Sequence, residues 1–162
     1  MAQKLTQAPL AERVESRFDQ VRNVVGSLSF PLVARISICV VYTWFGLVKL
    51  TGLSGATPLA EELTRRTIGI EYFGTAFTLL AVAECVIGVL FLIPGTVRIA
   101  LGMMLGHLAI VCSPLLLVPD AAWIAPLVPN LEGQYIIKNV LLLALALGIG
   151  NAIWPARRSA GG

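Results

Sequence analysis

The sequence predicts an all-α membrane protein: an antiparallel bundle of four transmembrane helices preceded by an amphipathic cytoplasmic helix. Of its 162 residues, 57% are hydrophobic and only 13% are charged, whereas soluble domains carry about 25% charged residues. The mean hydropathy is +0.83. Several apolar runs also approach or exceed the ~20 residues that a helix needs to cross a bilayer. These observations favour a polytopic helical membrane protein over a soluble domain.

Four apolar runs predict spans at about 31–53, 73–94, 97–118 and 135–154. They divide the chain into an N-terminal segment 1–30, a transmembrane domain 31–154 and a cytoplasmic tail 155–162. Between the first two runs, acids come early and bases late after Thr57-Pro58. That order complements a helix dipole and predicts a short helix over about 58–67. The stretch 119–134 is rich in proline and carries Trp123, which predicts an irregular interfacial loop.

The N-terminal segment carries apolar residues at alternating steps of four and three, which place them on one face of a helix. They are Val14, Phe18, Val21, Val25 and Leu28. One interpretation is a helix that lies on the membrane surface and orients the first span. The other is a handle, residues 10–28, that docks on a membrane or cytoplasmic protein partner. Acids within it, and the length of the following run, argue against a signal peptide.

Lysine and arginine at the span ends predict the orientation, because cytoplasmic loops carry the excess of basic residues. Eight lie on one side: Lys4, Arg13, Arg17, Arg22, Arg35, Arg98, Arg157 and Arg158. Four lie on or toward the other: Lys49, Arg65, Arg66 and Lys138. We therefore expect a multi-pass protein with both termini in the cytoplasm. The net charge of +3 is interpreted as a topology signal, with the lipid bilayer as partner and no nucleic acid.

Four ionisable residues come from four different predicted spans: Lys49, Glu84, His107 and Lys138. Ionisable groups inside a membrane are costly and commonly mark functional sites. Since Cα–Cβ bonds lean toward a helix's N-terminus, Lys49 and Glu84 converge from helices that run in opposite directions. The pair is either an ion pair that joins two spans or part of a proton- or ligand-binding cavity that opens outward.

The mouth of such a cavity would hold Lys138, with Trp123 and Glu132 in the loop above it. One acid cannot neutralise two lysines, so the mouth should be positive and favour an anionic or electron-rich ligand such as a quinone carbonyl. His107 is either a hydrogen-bonded packing residue or a group that passes protons to Glu84.

The remaining chemistry is sparse. Cys39, Cys85 and Cys112 lie inside apolar runs without a C-x-x-C pair, which indicates plain packing. Gly102 and Gly106 have the small-xxx-small spacing that permits close helix approach. No nucleophile triad, phosphate loop, metal-ligand spacing or haem motif is found. We therefore name no catalytic residue and no metal, and the cofactor stays unknown.

Four segments in order resemble the DoxX-like superfamily, and most closely its YkgB-type branch. They are WFGLVKLTG (44–52), AECVIGVLFLIPG (83–95), GHLAIVCSPLLLVP (106–119) and EGQYIIKNVLLLALAL (132–147). The resemblance covers about residues 31–154. It implies a four-helix protein of the bacterial inner membrane whose characteristic polar positions are Lys49, Glu84, His107, Glu132 and Lys138.

Members of that superfamily are linked to oxidoreductase systems, one as a subunit of a thiosulfate:quinone oxidoreductase and one in a complex for thiol and oxidative-stress defence. The resemblance therefore implies a non-catalytic membrane subunit or accessory of a redox system, and a quinone is the cofactor class it leaves open. Two alternatives remain: a structural or assembly partner of a membrane complex, and a protein that lets a small solute or protons permeate. The sequence is compatible with a homo-oligomer.

Overall fold

The computed structural model describes residue 12, residues 14–20 and residues 30–153. The chain divides into two compact units, residues 1–33 and 34–162. In the first unit, residues 14–20 are helical and exposed. Val21, Val25 and Leu28 lie outside the described residues, as does the predicted tail 155–162, so the apolar stripe of the N-terminal segment remains a prediction.

The rest of the described chain is helical except for one small hairpin and the connecting turns. A 3₁₀ turn, Ile70–Tyr72, precedes the third helix. The elements in order are α1 Phe30–Leu50, α2 Thr57–Thr67, α3 Phe73–Leu92, α4 Val97–Cys112, α5 Pro114–Leu117, α6 Pro119–Ala122, β1 Trp123–Ala125, β2 Val128–Pro129, α7 Leu131–Ile137 and α8 Asn139–Ile153. The two strands pair antiparallel. The predicted helix at 58–67 is confirmed as α2.

Four helical stretches of the described chain are long and apolar enough to cross a membrane: Phe30–Leu50, Ile70–Leu92, Val97–Leu117 and Leu131–Asn151. Each is at least 21 residues long, which meets the ~20 residues that a bilayer requires. The chain is therefore a multi-pass membrane protein with the predicted number of spans.

Several span boundaries differ by a few residues from the sequence prediction, and two of these differences have a clear local reason. The first span ends at Leu50 rather than 53, because the chain turns at Gly52 with φ 74°, a conformation that glycine adopts without strain. The fourth begins at Leu131 rather than 135, because Asn130 caps it. The Asn130 side-chain oxygen accepts a hydrogen bond from the Gly133 N–H at 2.9 Å, which satisfies one of the orphan donors of a helix start.

The core of the second unit is apolar and draws on α1, α3, α4 and α8. Ile38, Ile87, Phe91, Met104 and Ile149 are essentially inaccessible to solvent. Many other large apolar side chains point outward, as expected for helices that are hydrophobic all round because their surroundings are lipid. On α1, the residues that pack into this apolar core lie in the N-terminal and central parts of the helix.

Helices α1 and α3 approach most closely through two glycines. A Cβ at Gly46 would lie 2.6 Å from the Cys85 sulfur and 2.8 Å from the Ala81 carbonyl oxygen, and one at Gly88 would lie 3.1 Å from the Cys39 carbonyl oxygen. Small residues allow such backbone contact between membrane helices. Gly102 and Gly106 of α4 have the small-xxx-small spacing that permits such an approach, but a Cβ at either position would meet nothing within 4 Å.

Arg35 reaches from α1 to the end of α3. Its Nε donates to the Phe91 carbonyl at 2.6 Å and its Nη2 to the Leu92 carbonyl at 2.9 Å. These carbonyls end α3, where a helix has unpaired acceptors and a negative partial charge. Arg35 therefore caps α3 from α1.

Candidate functional site

Glu84 is the centre of a buried polar network. Lys49, in the last turn of α1, donates from Nζ to both carboxylate oxygens, at 2.7 Å to Oε1 and 2.6 Å to Oε2. The two side chains are only 9% and 6% exposed. Buried charges persist when they are paired and hydrogen-bonded, and this pair meets both conditions. The pairing predicted from the opposite lean of the two side chains is present.

His107 extends the network to a fourth residue, Tyr42. The His107 Nε2 lies 3.0 Å from Glu84 Oε1, and its Nδ1 lies 3.3 Å from the Tyr42 hydroxyl. A carboxylate only accepts hydrogen bonds, so Nε2 carries the proton, and in the neutral ring Nδ1 accepts from Tyr42. Tyr42, His107, Glu84 and Lys49 thus form one continuous hydrogen-bonded chain, here called the buried network.

The buried network is fully hydrogen-bonded, and its Lys49 and Glu84 side chains form an ion pair of opposite charges. Within the described residues, every buried side-chain nitrogen and oxygen has a hydrogen-bond partner. Such complete satisfaction lets a polar cluster persist in a low-dielectric interior.

One end of the buried network is closed by apolar packing. Ile38 lies one turn from Tyr42 toward the start of α1, and Ile87 lies one turn from Glu84 toward the end of α3; both are completely buried. The other end is Lys49, seven residues beyond Tyr42 and close to the end of α1. At 1.5 Å per residue, the network covers about 10 Å of depth.

Three other residues predicted for the site do not contact Glu84 in the described structure. The Lys138 ammonium is exposed and lies 4.8 Å from the centre of the Tyr135 ring. Glu132 is exposed in the first turn of α7. Trp123 is half-buried and donates from Nε1 to the Leu115 carbonyl at 3.0 Å. Their role at a cavity mouth remains a prediction.

Two grooves open on the surface of the described chain. One, of about 330 Å³, lies beside Tyr72 and Leu79. The other, of about 420 Å³, lies between α2, α3 and α4. Neither groove is lined by a member of the buried network. Because the Lys49 and Glu84 side chains are only 9% and 6% exposed, ligand entry would require the helices to part at the Lys49 end.

An exposed ion bridge joins α2, which follows the first span, to α6, which follows the third span. The Arg66 guanidinium holds both oxygens of Asp120, each at 2.6 Å, and its Nε lies 2.6 Å from Glu62 Oε1. Two parallel hydrogen bonds fix the relative orientation of the guanidinium and the carboxylate. The Arg66 hydrogen bonds lower the pKa of the Asp120 carboxyl below its usual range, and Asp120, then Glu62, raise the pKa of Arg66.

Sequence reasoning missed Tyr42 and the Arg66–Asp120 bridge. A signal for Tyr42 existed, because it lies two turns before Lys49 and so on the same face of α1. No signal existed for the bridge, whose partners are 54 residues apart. Cys39, Cys85 and Cys112 are free and half-buried. Within the described ranges, no group of three or more His, Cys, Asp or Glu side chains could hold a metal ion.

Comparison of the chain with models of protein families, with curated proteins and with solved structures finds no match.

Proposed function

We propose that this chain is a DoxX-like integral membrane protein that serves as a non-catalytic subunit or accessory of a quinone-linked or oxidative-stress redox system. The proposal includes an antiparallel four-helix bundle in a bacterial inner membrane, with both termini in the cytoplasm. The observation that carries it is the buried network, in which Glu84 binds Lys49 and His107 in the middle of the bundle.

The network supports a functional role better than a purely structural one. A buried ion pair contributes little net stability, because desolvation offsets most of the attraction, and apolar residues of similar volume often pack as well. Here three different titratable side chains and a tyrosine share one continuous chain of hydrogen bonds. Such an arrangement can accept a proton at one end and pass it along, which an isolated ion pair cannot do.

The apolar seal favours a site that is reached from one side over a permeation path. A path for solutes or protons would need polar groups or water on both sides of the network. Toward the start of α1, however, Ile38, Ile87 and Phe91 are fully buried among apolar neighbours. A ligand would therefore reach the buried network from the Lys49 end. In the proposed orientation that end faces outward, consistent with eight basic residues on the cytoplasmic side and four on the other.

The ligand that suits this end is a small redox-active molecule with an electron-rich oxygen, such as a quinone carbonyl. The Lys49 ammonium would donate a hydrogen bond to that oxygen once it is released from one carboxylate oxygen of Glu84. His107 would hold or deliver a proton through Glu84. We assign no chemical step to the chain itself, since a partner of the complex would carry the redox reaction.

The test is Glu84→Gln in cells that depend on this protein for oxidant resistance, at matched protein levels. Glutamine keeps the size of the side chain but removes the charge and the proton-accepting carboxylate, so we expect greater oxidant sensitivity. Glu71→Gln, at an exposed position outside the predicted site, is the matched control. Unchanged sensitivity in Glu84→Gln cells would contradict the redox role.

Purification in mild detergent, followed by analysis for bound quinone and for partner proteins, completes the test. Loss of quinone in the Glu84→Gln variant with partners retained supports a ligand site. Loss of partners on removal of residues 10–28, without an effect of Glu84→Gln, would favour the alternative of a structural or assembly partner.

A further inference from the structure

The hairpin β1–β2, residues 123–129, carries an unusually apolar tip. Leu127 is 90% exposed and Ile124 is 75% exposed, and residues 121–131 contain no charged side chain. Leu127 also has φ 63°, a left-handed conformation that non-glycine residues rarely adopt outside functional or tightly determined sites. Exposed apolar patches mark interaction surfaces, so the apolar tip is not expected of a loop that simply projects into water.

Hydrogen bonds set the hairpin's depth relative to the membrane spans. The Trp123 indole donates to the Leu115 carbonyl at 3.0 Å, and the Asn130 N–H donates to the Ala122 carbonyl at 3.1 Å. A Cβ at Gly133 would collide with that same Ala122 oxygen. Leu115 and Gly133 each lie two residues inside the spans Val97–Leu117 and Leu131–Asn151. The base of the hairpin therefore lies at the same depth in the membrane as the ends of these two spans, and it does not project beyond them into water.

The hairpin is also fixed in direction. Asn130 Nδ2 donates to the Ala121 carbonyl at 2.8 Å, and Asp120, just before the hairpin, is bound to Arg66 of α2. On either side of the hairpin, Leu116 and Leu131 are exposed. The apolar surface of the hairpin thus continues the apolar surface that the spans present to lipid.

We propose that the β1–β2 hairpin is an interfacial anchor whose tip, Ile124 and Leu127, inserts into the headgroup–acyl boundary of the nearer leaflet. Continuity with the lipid-facing surface and the depth of its base favour lipid over a protein partner. Insertion is shallow, because two paired positions leave backbone groups at the tip that need water, and the hydrocarbon core offers none. Trp123 at the base matches the preference of tryptophan for this boundary.

The test places an environment-sensitive NBD fluorophore on Leu127→Cys in a chain whose Cys39, Cys85 and Cys112 are replaced by alanine. The protein is reconstituted in phosphatidylcholine–phosphatidylglycerol nanodiscs. The matched control carries the label at Arg65→Cys, an exposed position on α2. We expect the label at 127 to emit at shorter wavelength, to be shielded several-fold from aqueous iodide, and to be quenched by lipids spin-labelled near the headgroup.

A label at Ile124→Cys guards against an effect of the Leu127 substitution itself and should behave like the label at 127. If both positions are quenched by iodide as strongly as position 65, the hairpin projects into water and the anchor does not exist. That result would make the tip a candidate surface for a protein partner. It would leave the proposed redox role untouched, because the hairpin does not contact Glu84 or Lys49 in the described structure.

Discussion

The Glu84 carboxylate accepts hydrogen bonds from the Lys49 ammonium and lies within hydrogen-bond distance of the His107 ring. It is the negative group that compensates the buried charge of Lys49. Removing a partner of a buried ion pair is costly, because the remaining charge is neither solvated nor compensated. The same residue therefore matters for stability and for the proposed site, and the two roles need separate measurements.

Glu84→Ala should destabilise the protein by roughly 3–5 kcal/mol, the range for breaking a buried ion pair. The double change with Lys49→Met should recover part of that loss, because the unpaired ammonium is then gone. Unfolding in mixed detergent micelles measures both, with Glu132→Ala as the exposed control. Additive losses in the double-mutant cycle would show that the two side chains do not interact.

Tyr42→Phe should remove the hydrogen bond to His107 while preserving the ring packing. Loss of one buried hydrogen bond costs about 0.5–1.5 kcal/mol. The chain has a single histidine, so the ¹⁵N resonance of Nδ1 can be assigned without ambiguity and should shift in the variant. Tyr135→Phe, at an exposed position, is the control and should leave the resonance unchanged. An unshifted Nδ1 resonance in Tyr42→Phe would mean that the hydroxyl does not reach the ring.

At the scale of the elements, two contacts between distant parts of the chain differ in kind: the close approach of α1 and α3, and the Arg66–Asp120 bridge between α2 and α6. The first contact is buried and steric, with backbone against backbone. The second is exposed and electrostatic, and its strength depends on pH and salt. The two contacts therefore respond to different perturbations.

Gly46→Ala and Gly88→Ala should each destabilise the bundle by about 1–3 kcal/mol, the usual cost of overpacking. Gly102→Ala on α4 is the matched control, because its Cβ meets nothing within 4 Å and alanine favours the helix. Thermal unfolding in detergent measures all three. Equal effects at all three positions would contradict the close contact of α1 with α3.

The bridge between α2 and α6 should persist from neutral pH down to about pH 4, near the ordinary pKa of an aspartate. Arg66 lowers the pKa of Asp120 in the folded protein. The stabilisation is therefore present above the unfolded-state pKa and is lost as pH falls through the folded-state pKa. Spin labels at Glu61→Cys and Ala121→Cys report the distance between the two helices.

We expect that distance to broaden only in more acid solution, and earlier at high salt. Asp120→Asn is the control, since it lacks the titrating group and should show a broad distance at every pH. A distance in the parent chain that ignores both pH and salt would show that the bridge does not hold the two helices together.

At the scale of the whole molecule, the asymmetry of the basic residues predicts which end of the bundle faces outward. The buried network ends at Lys49 on one side and at packed apolar side chains on the other. A single orientation therefore decides whether the network can serve molecules from outside the cell or from the cytoplasm.

Cysteines introduced at positions 61 and 120 should react with a membrane-impermeant maleimide in whole cells, because both positions lie in segments predicted to face outward. A chain in which the native Cys39, Cys85 and Cys112 are replaced by alanine is the background and the unlabelled control. Labelling in inverted membrane vesicles alone would reverse the topology and place the Lys49 end in the cytoplasm.

The sequence by itself determined the number of spans, the helix α2 and the pairing of Lys49 with Glu84. Span number follows from the length of the apolar runs, which is a local property. The pair was predictable because Lys49 and Glu84 lie on consecutive spans that run in opposite directions, and because the lean of Cα–Cβ bonds has a known direction.

Only the tertiary structure decided which faces of the helices meet. The tertiary structure brings Tyr42 to His107, assigns the close approach to Gly46 and Gly88, directs Arg35 onto the end of α3, and leaves Lys138 exposed. Each of these depends on the rotation of a helix about its own axis. In a soluble helix the apolar stripe reveals that rotation, but a span that is apolar all round carries no such stripe. Rotation is then set by side-chain packing and by the few polar contacts, which form only once the helices are assembled.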